Sequence, residues 1–235
     1  MGQAWRRTYA SDGVAVAVFR PNLTSRLIVQ CVQALGPGPE TRWAEIGCGS
    51  GWISATLART TDLRLGKASL SDISVEAIEA AKANLKGEGE QPEYVVAEGA
   101  RNLLPSSLDL IVCDVAAISS LYCDAYEWYR GVPSGCGVDG LDNLRRLIPD
   151  AHQALAHKGM FVVPILSLAD SLTLVSLLEQ QFSRVSITLR REWPLPPEPV
   201  LTASFEDELK RCGLASPERR YGKRLAWTSV ATCER

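Results

Sequence analysis

Hydrophobic positions along the chain follow two patterns that alternate with each other. Continuous apolar runs are typical of buried strands, and they occur at 43–46, 63–71, 94–97, 108–113, 160–166, 184–189 and 225–232. Apolar residues at helical spacing predict helices at 23–35, 52–59, 75–85, 141–156 and 168–181. Strands that alternate with helices form a mostly parallel sheet that is covered on both faces. The pattern therefore predicts an α/β fold.

Other segments interrupt this alternation. Asn22 is a suitable N-cap for the first helix. We treat residues 1–21, with a strand-like run at 14–19, as an N-terminal extension, and 22–235 as one domain. The long irregular stretch at about 115–140 is predicted to be an insertion.

Composition narrows the class of protein. A net charge of -2 and a pI near 5.8 argue against general attraction to nucleic-acid phosphates. Seven cysteines without C-x-x-C spacing predict neither a disulfide framework nor a zinc site, so no metal is expected. No apolar run could span a bilayer and no signal-peptide pattern is present. We expect a cytoplasmic protein with no membrane partner.

Three alternating glycines, at positions 47, 49 and 51, directly follow the first core strand in the run Glu45-Ile46-Gly47-Cys48-Gly49-Ser50-Gly51. Glycine permits unusual φ angles and a close approach of the backbone to a ligand. The next helix offers free N–H groups to an anion. A dinucleotide loop would need glycine where Trp52 stands, and a P-loop would need a G-K-[ST] ending. A tight turn without ligand is the simpler alternative.

Asp72 ends the second core strand. A carboxylate at this place commonly accepts hydrogen bonds from ribose hydroxyls. Asp72 or Ser74 could instead cap the following helix, and both roles are compatible with one fold.

Together, the glycine loop and Asp72 resemble the cofactor site of class I S-adenosylmethionine (SAM)-dependent methyltransferases, from about residue 19 to residue 166. The resemblance implies a Rossmann-like three-layer sandwich with a mostly parallel seven-stranded sheet and an antiparallel last strand. It also implies SAM as cofactor and S-adenosylhomocysteine as product. The cofactor-binding residues that it implies are Glu45, Gly47, Cys48, Gly49, Gly51, Asp72, Ile73, Ala100, Arg101 and Asp114.

In that family the glycine loop receives the amino-acid end of SAM, the acid matching Asp72 holds the ribose, and the aliphatic matching Ile73 packs on adenine. Ala100 stands where the family often has an acid for the adenine amino group. Backbone groups at 99–101 are expected to take that role.

Three more segments are similar to the HemK/PrmC branch, which methylates glutamine amides in release factors. They are Val18-Phe19-Arg20-Pro21, Asp109-Leu110-Ile111-Val112 and Val138-Asp139-Gly140-Leu141-Asp142. The branch carries Asn-Pro-Pro-Tyr or Asp-Pro-Pro-Tyr after the fourth strand. This chain has Asp114-Val115-Ala116-Ala117 there, so the acid alone is retained, which argues against glutamine or adenine as the acceptor.

Asp114 is the candidate catalytic residue, since a carboxylate can orient an acceptor nitrogen and take its proton. Capping of the irregular stretch behind it is the alternative role. Together with Asp114, the residues Tyr122, Tyr126, Glu127 and Trp128 are predicted to bind a cationic acceptor, partly through cation–π contacts. An amphipathic helix whose aromatics cover the core would explain the same pattern.

The sequence therefore favours SAM-dependent N-methylation of a small basic amino-bearing metabolite, such as an arginine-like compound or an amine, in specialised metabolism. One alternative is a methyltransferase of protein glutamine or nucleic-acid nitrogens, although the acidic balance argues against nucleic acid as a partner. Another is a non-catalytic SAM-binding scaffold. The oligomeric state stays open, and a homodimer is one expectation because dimers are the commonest oligomers.

Overall fold

The fold centres on one mixed sheet in a computed structural model that describes residues 8–9, 15–16, 18, 20–128, 134–196 and 203–235. Two short strands, β1 (Thr8–Tyr9) and β2 (Ala15–Val16), pair with each other outside it. The sheet strands are β3 (Trp43–Ile46), β4 (Ala68–Asp72), β5 (Glu93–Val96), β6 (Leu108–Cys113), β7 (Leu155–Leu166), β8 (Arg184–Pro194), β9 (Glu218–Arg220) and β10 (Lys223–Glu234). Half of the predicted 14–19 run, residues 14, 17 and 19, lies outside the described residues.

The strand order is β5-β4-β3-β6-β7-β10-β8, and β9 pairs with β10 beside this path. Strands β5, β4, β3, β6 and β7 are parallel to their neighbours. Strand β10 runs antiparallel to both β7 and β8. The predicted mostly parallel sheet with an antiparallel last strand is confirmed, with the short β9 as an eighth strand.

Helices cover both faces of the sheet. They are α1 (Leu23–Leu35), α2 (Trp52–Thr60), α3 (Val75–Leu85), α4 (Ser120–Ala125), α5 (Asp142–Ala154), α6 (Ser171–Gln181) and α7 (Ala203–Arg211). Apolar residues of α1, α2 and α3 form one buried cluster, and those of α4 to α7 belong to a second. These two clusters make the structure a three-layer sandwich. Within the described ranges, no helix combines the length and apolarity needed to cross a membrane.

Several boundaries differ from the predictions for local reasons. The strand expected at 63–71 begins as a 3-10 turn (Leu65–Lys67) before β4. Helix α5 ends at Ala154 because Leu155 is extended, and β7 starts there, paired with Leu108 of β6. Strand β8 extends beyond the predicted run at 184–189 to Pro194, because its later residues also pair with β10. Helix α4 lies in the segment for which an amphipathic helix was the alternative interpretation, and α7 was not predicted.

The order in which strands are added to the sheet reverses at β3. Strands β4 and β5 add on one side of β3, and β6 and β7 add on the other. The carboxyl ends of β3, β4 and β6 therefore meet at one edge, where open α/β sheets bind ligands.

Candidate functional site

A cleft of about 390 Å³ opens at this edge of the sheet. The glycine loop at 47–50 forms its floor, Asp72 and Ile73 follow β4, and Asp114 follows β6. The start of α1, residues 97–101 after β5, and α5 complete its walls. The structure thus brings together most of the residues that the sequence assigned to the cofactor.

All three loop glycines have positive φ: 74° at Gly47, 52° at Gly49 and 70° at Gly51. A side chain at Gly47 would place its Cβ 2.9 Å from Val115 Cγ1, and one at Gly51 would lie 3.1 Å from Ala81 Cβ in α3. Glycine is therefore required both by the backbone conformation and by the close packing. Cys48 is buried in this turn, so burial raises the pKa of its thiol and it acts as a small apolar residue.

Asp72 holds the glycine loop against the end of β4. Its Oδ2 accepts a hydrogen bond from Gly49 N at 2.9 Å, and its Oδ1 accepts one from Ser74 N at 2.9 Å. Ser74 in turn caps α3 by accepting from Ala77 N. Carboxylate oxygens have further lone pairs, so Asp72 can also accept from a ligand hydroxyl. Ile73 is 54% exposed beside it.

Glu45 lies under the loop and is almost completely buried. Its Oε2 accepts hydrogen bonds from both Ser54 N (3.0 Å) and Ser54 Oγ in α2. Burial raises the pKa of Glu45 to about 8, and the charges of Asp114 and Asp72 add to the rise, while the bonds from Ser54 oppose it. Glu45 therefore carries a proton over much of the neutral range when the cleft holds no cation.

Asp114 sits at the carboxyl end of β6. Its Oδ2 accepts a hydrogen bond of 2.6 Å from Ser25 Oγ in the first turn of α1. Its surroundings withdraw it from water and raise the pKa of this carboxyl to about 6, which the bond from Ser25 opposes. At neutral pH Asp114 is mainly ionised and can accept a further N–H.

The residues that follow β5 form a charged wall of the cleft. Ala100 is buried and does not line the cleft, whereas its neighbours Gly99 and Arg101 do. Arg101 lies 3.7 Å from Glu98 and 3.9 Å from Asp150 of α5. These pairs are exposed and weak. A cofactor contact of Ala100 would have to come from its backbone.

The predicted acceptor residues of the 115–140 segment lie elsewhere. Tyr122 is fully buried, and its ring packs edge-on against Phe205 of α7 at 5.5 Å. Tyr126 and Trp128 stack at 4.8 Å, and Trp128 also contacts Trp193 at 6.3 Å. None of these residues, nor the exposed Glu127, lines the cleft. Their role in binding a substrate stays a prediction.

Sequence reasoning did not find several cleft residues. Asn143 of α5 donates from Nδ2 to the carbonyls of Ala116 (3.1 Å) and Ser134, and so joins the two ends of the insertion. Ser25, Arg146 and Asp150 also line the cleft. Asn143 follows the Val138–Asp142 motif, which was a usable signal, but nothing local to Ser25 reveals its distant partner.

Two comparisons by sequence found related proteins. Residues 16–114 match the family model described as the methyltransferase small domain. The chain is 32% identical over 168 residues to a release factor glutamine methyltransferase of Koribacter versatilis (strain Ellin345). The aligned part is 67% of this chain and 58% of that relative, so the chain spans less than two thirds of the relative's length.

Solved structures share the fold at low sequence identity. A ribosomal protein L11 methylase from Lactobacillus delbrueckii subsp. bulgaricus has a TM-score of 0.58 at 17% identity, over 93% of this chain and 81% of that one. The E. cuniculi Mtq2–Trm112 complex, responsible for methylation of the eRF1 termination factor, has 0.56 at 12%, over 93% and 98%. The T. thermophilus 16S rRNA N2 G1207 methyltransferase, in complex with AdoMet and guanosine, has 0.58 at 14%, over 94% and 46%.

The solved structures share the fold over most of the chain, whereas the family model covers residues 16–114, which build the glycine loop and end at Asp114. Taken with the strand order, they support a class I SAM-dependent methyltransferase fold for the chain.

Proposed function

We propose that the protein is a SAM-dependent N-methyltransferase in which the glycine loop and Asp72 hold the cofactor and Asp114 receives the acceptor nitrogen. The observation that carries this proposal is the position of Asp114. It is a carboxylate withdrawn from water, at the end of β6, in the same cleft as the three positive-φ glycines.

The cleft has the features that SAM requires. The N-cap of α2 is Gly51, whose lack of a side-chain cap leaves the helix start open to the carboxylate of an amino acid. Asp72 is placed for ribose hydroxyls and Ile73 offers an exposed apolar face for adenine. When bound, SAM would supply an electrophilic methyl group on a sulfonium.

Asp114 would then orient the acceptor. Its Oδ1 accepts no hydrogen bond within the described residues, while Oδ2 is occupied by Ser25. An ionised Oδ1 can accept an N–H from the acceptor, which aims the nitrogen lone pair at the methyl carbon and provides a place for the proton that is released.

For the acceptor we favour an uncharged side-chain amide of a protein. The relative from Koribacter versatilis is named for a glutamine acceptor. A primary amide has two N–H groups, which suit a carboxylate acceptor, and it needs no deprotonation before it binds. The aromatic residues expected to surround a cation pack on one another instead.

A small basic metabolite is the second candidate, because the charge of the cleft favours it. Its lining has two arginines against four acids besides the protonated Glu45, namely Asp72, Glu98, Asp114 and Asp150. This balance attracts cations and repels phosphates, so nucleic acid is the least favoured acceptor.

The test is calorimetric titration with SAM, followed by methyl transfer from radiolabelled SAM to glutamine-containing proteins and peptides, to amines and guanidines, and to RNA. We expect SAM binding and transfer to an amide. Asp114→Asn should lower kcat by about 100-fold or more while SAM affinity is retained. The control is Asp109→Asn, which alters the same strand far from the cleft, where Asp109 pairs with Arg42.

Methylation of amines alone would favour the metabolite. SAM binding without transfer to any acceptor would favour the scaffold alternative. Failure to bind SAM, or full turnover by Asp114→Asn, would overturn the proposal.

A further inference from the structure

Ser25 connects helix α1 to the proposed acceptor carboxylate. The two residues are 89 positions apart in sequence, and their side chains meet in a hydrogen bond of 2.6 Å. Ser25 is buried at the wall of the cleft. The contact is therefore sheltered from water, where a hydrogen bond to a charged group has its largest effect.

The capping arrangement of α1 fixes the direction of this hydrogen bond. Asn22 Oδ1 accepts from the backbone N of Thr24 and of Ser25, and the Ser25 hydroxyl accepts from Asn22 N at 3.4 Å. A hydroxyl has one hydrogen, so with Asn22 as its donor the Ser25 hydrogen points to Asp114. The geometry thus makes Ser25 the donor and Asp114 Oδ2 the acceptor.

The same contact selects one orientation of the carboxylate. Because Oδ2 is held by Ser25, the other oxygen, Oδ1, is the one without a partner among the described residues. The first turn of α1, a helix of 13 residues, adds the positive end of its dipole beside the carboxylate. Orientation and charge are therefore both set by α1.

We infer that Ser25 is a positioning residue for methyl transfer, which holds Asp114 in the orientation and the charge state that the acceptor nitrogen requires. The inference rests on the proposed function of Asp114. It adds that the start of α1, 89 positions before Asp114 in sequence, tunes the acceptor half of the site.

A substitution at Ser25 leaves the other titratable and charged side chains around Asp114 in place. Burial raises the pKa of Asp114 and Ser25 opposes the rise. The titratable groups around the carboxylate are Glu45 of β3 and Cys113 of β6, which both respond to its charge. Across the cleft lie Asp72, Glu98, Arg101, Arg146 and Asp150.

The experiment compares Ser25→Ala, which removes the donor, with Ser25→Thr, which keeps it. Thr24→Ala is the matched control, since it removes a hydroxyl from the same helical turn that does not contact Asp114. Ser25→Cys, with a weak donor of similar size, replaces the alanine variant if that variant does not fold. SAM affinity, kcat and its pH profile are measured for each.

We expect Ser25→Ala to keep wild-type SAM affinity and to lower kcat by about tenfold, the effect of one hydrogen bond to a charged group. The acidic limb of its kcat profile should move upward by about one pH unit. Ser25→Thr should restore both, and Thr24→Ala should match the wild type. An unchanged profile and kcat in Ser25→Ala would overturn the inference.

A second readout does not depend on activity. In protein labelled with ¹³C at aspartate carboxyls, the signal that disappears in Asp114→Asn reports the titration of Asp114. Its midpoint should be near 6 in the wild type, higher in Ser25→Ala and restored in Ser25→Thr. If no acceptor is methylated but this shift is seen, the proposed function fails while the Ser25–Asp114 link stands; equal midpoints would refute the link.

Discussion

The two halves of the cleft are built by different means. In the cofactor half, backbone groups dominate: glycines at positive φ and N–H groups that donate to Asp72 and to the Ser71 carbonyl. In the acceptor half, side chains dominate: Ser25 holds Asp114, and Asn143 joins the ends of the insertion. Backbone geometry tolerates few substitutions, whereas side-chain contacts can be exchanged one at a time. We therefore expect substitutions in the acceptor half to be better tolerated by the fold than substitutions in the glycine loop.

Gly47→Ala should disturb both the cofactor half and the acceptor half of the cleft. It should have the largest effect on SAM binding. Its Cβ would meet Val115 Cγ1 at 2.9 Å and the Asp114 carbonyl at 3.3 Å, at a φ of 74°. Left-handed strain and the displaced loop together should weaken SAM binding by about 1,000-fold, measured by calorimetry. Gly87→Ala is the control, because nothing lies within 4 Å of its Cβ position. Wild-type affinity in Gly47→Ala would contradict the backbone account.

Glu45→Gln should sharpen the comparison by removing a buried acid from the cofactor half. With the pKa of Glu45 raised to about 8, the folded state holds a proton that the unfolded state loses above its ordinary value of 4.5. Stability should therefore fall as pH rises from 4.5 to 8, by up to about 1.4 kcal/mol per pH unit, and glutamine should abolish that fall.

The measurement is urea unfolding at pH 5 and pH 8. We expect the gain in free energy of unfolding for Glu45→Gln over the wild type to be about 3.5 kcal/mol larger at pH 8 than at pH 5. Equal gains at both pH values would show that Glu45 ionises normally in the folded protein.

Trp128→Ala tests whether the aromatic residues of the insertion support the fold or bind the acceptor. If the stack with Tyr126 and the contact with Trp193 are structural, the variant should lose about 1.5 kcal/mol of stability and keep its SAM affinity. Thermal unfolding and KM for the acceptor are measured together. A raised KM at unchanged stability would instead support the substrate-binding role predicted from the sequence.

A structural feature could be predicted from the sequence when it depends on residues that are close together along the chain. The places of the glycine loop and Asp72 in the fold were predictable because they depend on local patterns, a strand followed by glycines and a strand ended by an acid. The place of Asp114 at the end of β6 was predictable for the same reason. The fold class followed from the alternation of apolar runs, as did the ends of β3, α3 and β6.

Contacts between residues that are far apart in the sequence could not be predicted. Ser25 is an ordinary residue of a helix start until Asp114 is placed beside it, 89 positions later. Trp128 was predicted to bind the acceptor or to cover the core, but its neighbour Trp193 comes from β8, so its packing depends on the completed sheet. Spacing rules describe one element at a time and contain no information on such pairs.

The position of β10 has a consequence for the order in which the molecule can assemble. Among the described strands, β8 pairs with β10 and with no other, and β10 also borders β7. Residues 184–194 leave the ribosome before 223–234, so the newly made β8 has no strand to join until β10 emerges and inserts between it and β7. The glycine-loop region can fold early in synthesis, while this far edge of the sheet depends on the late-arriving strand.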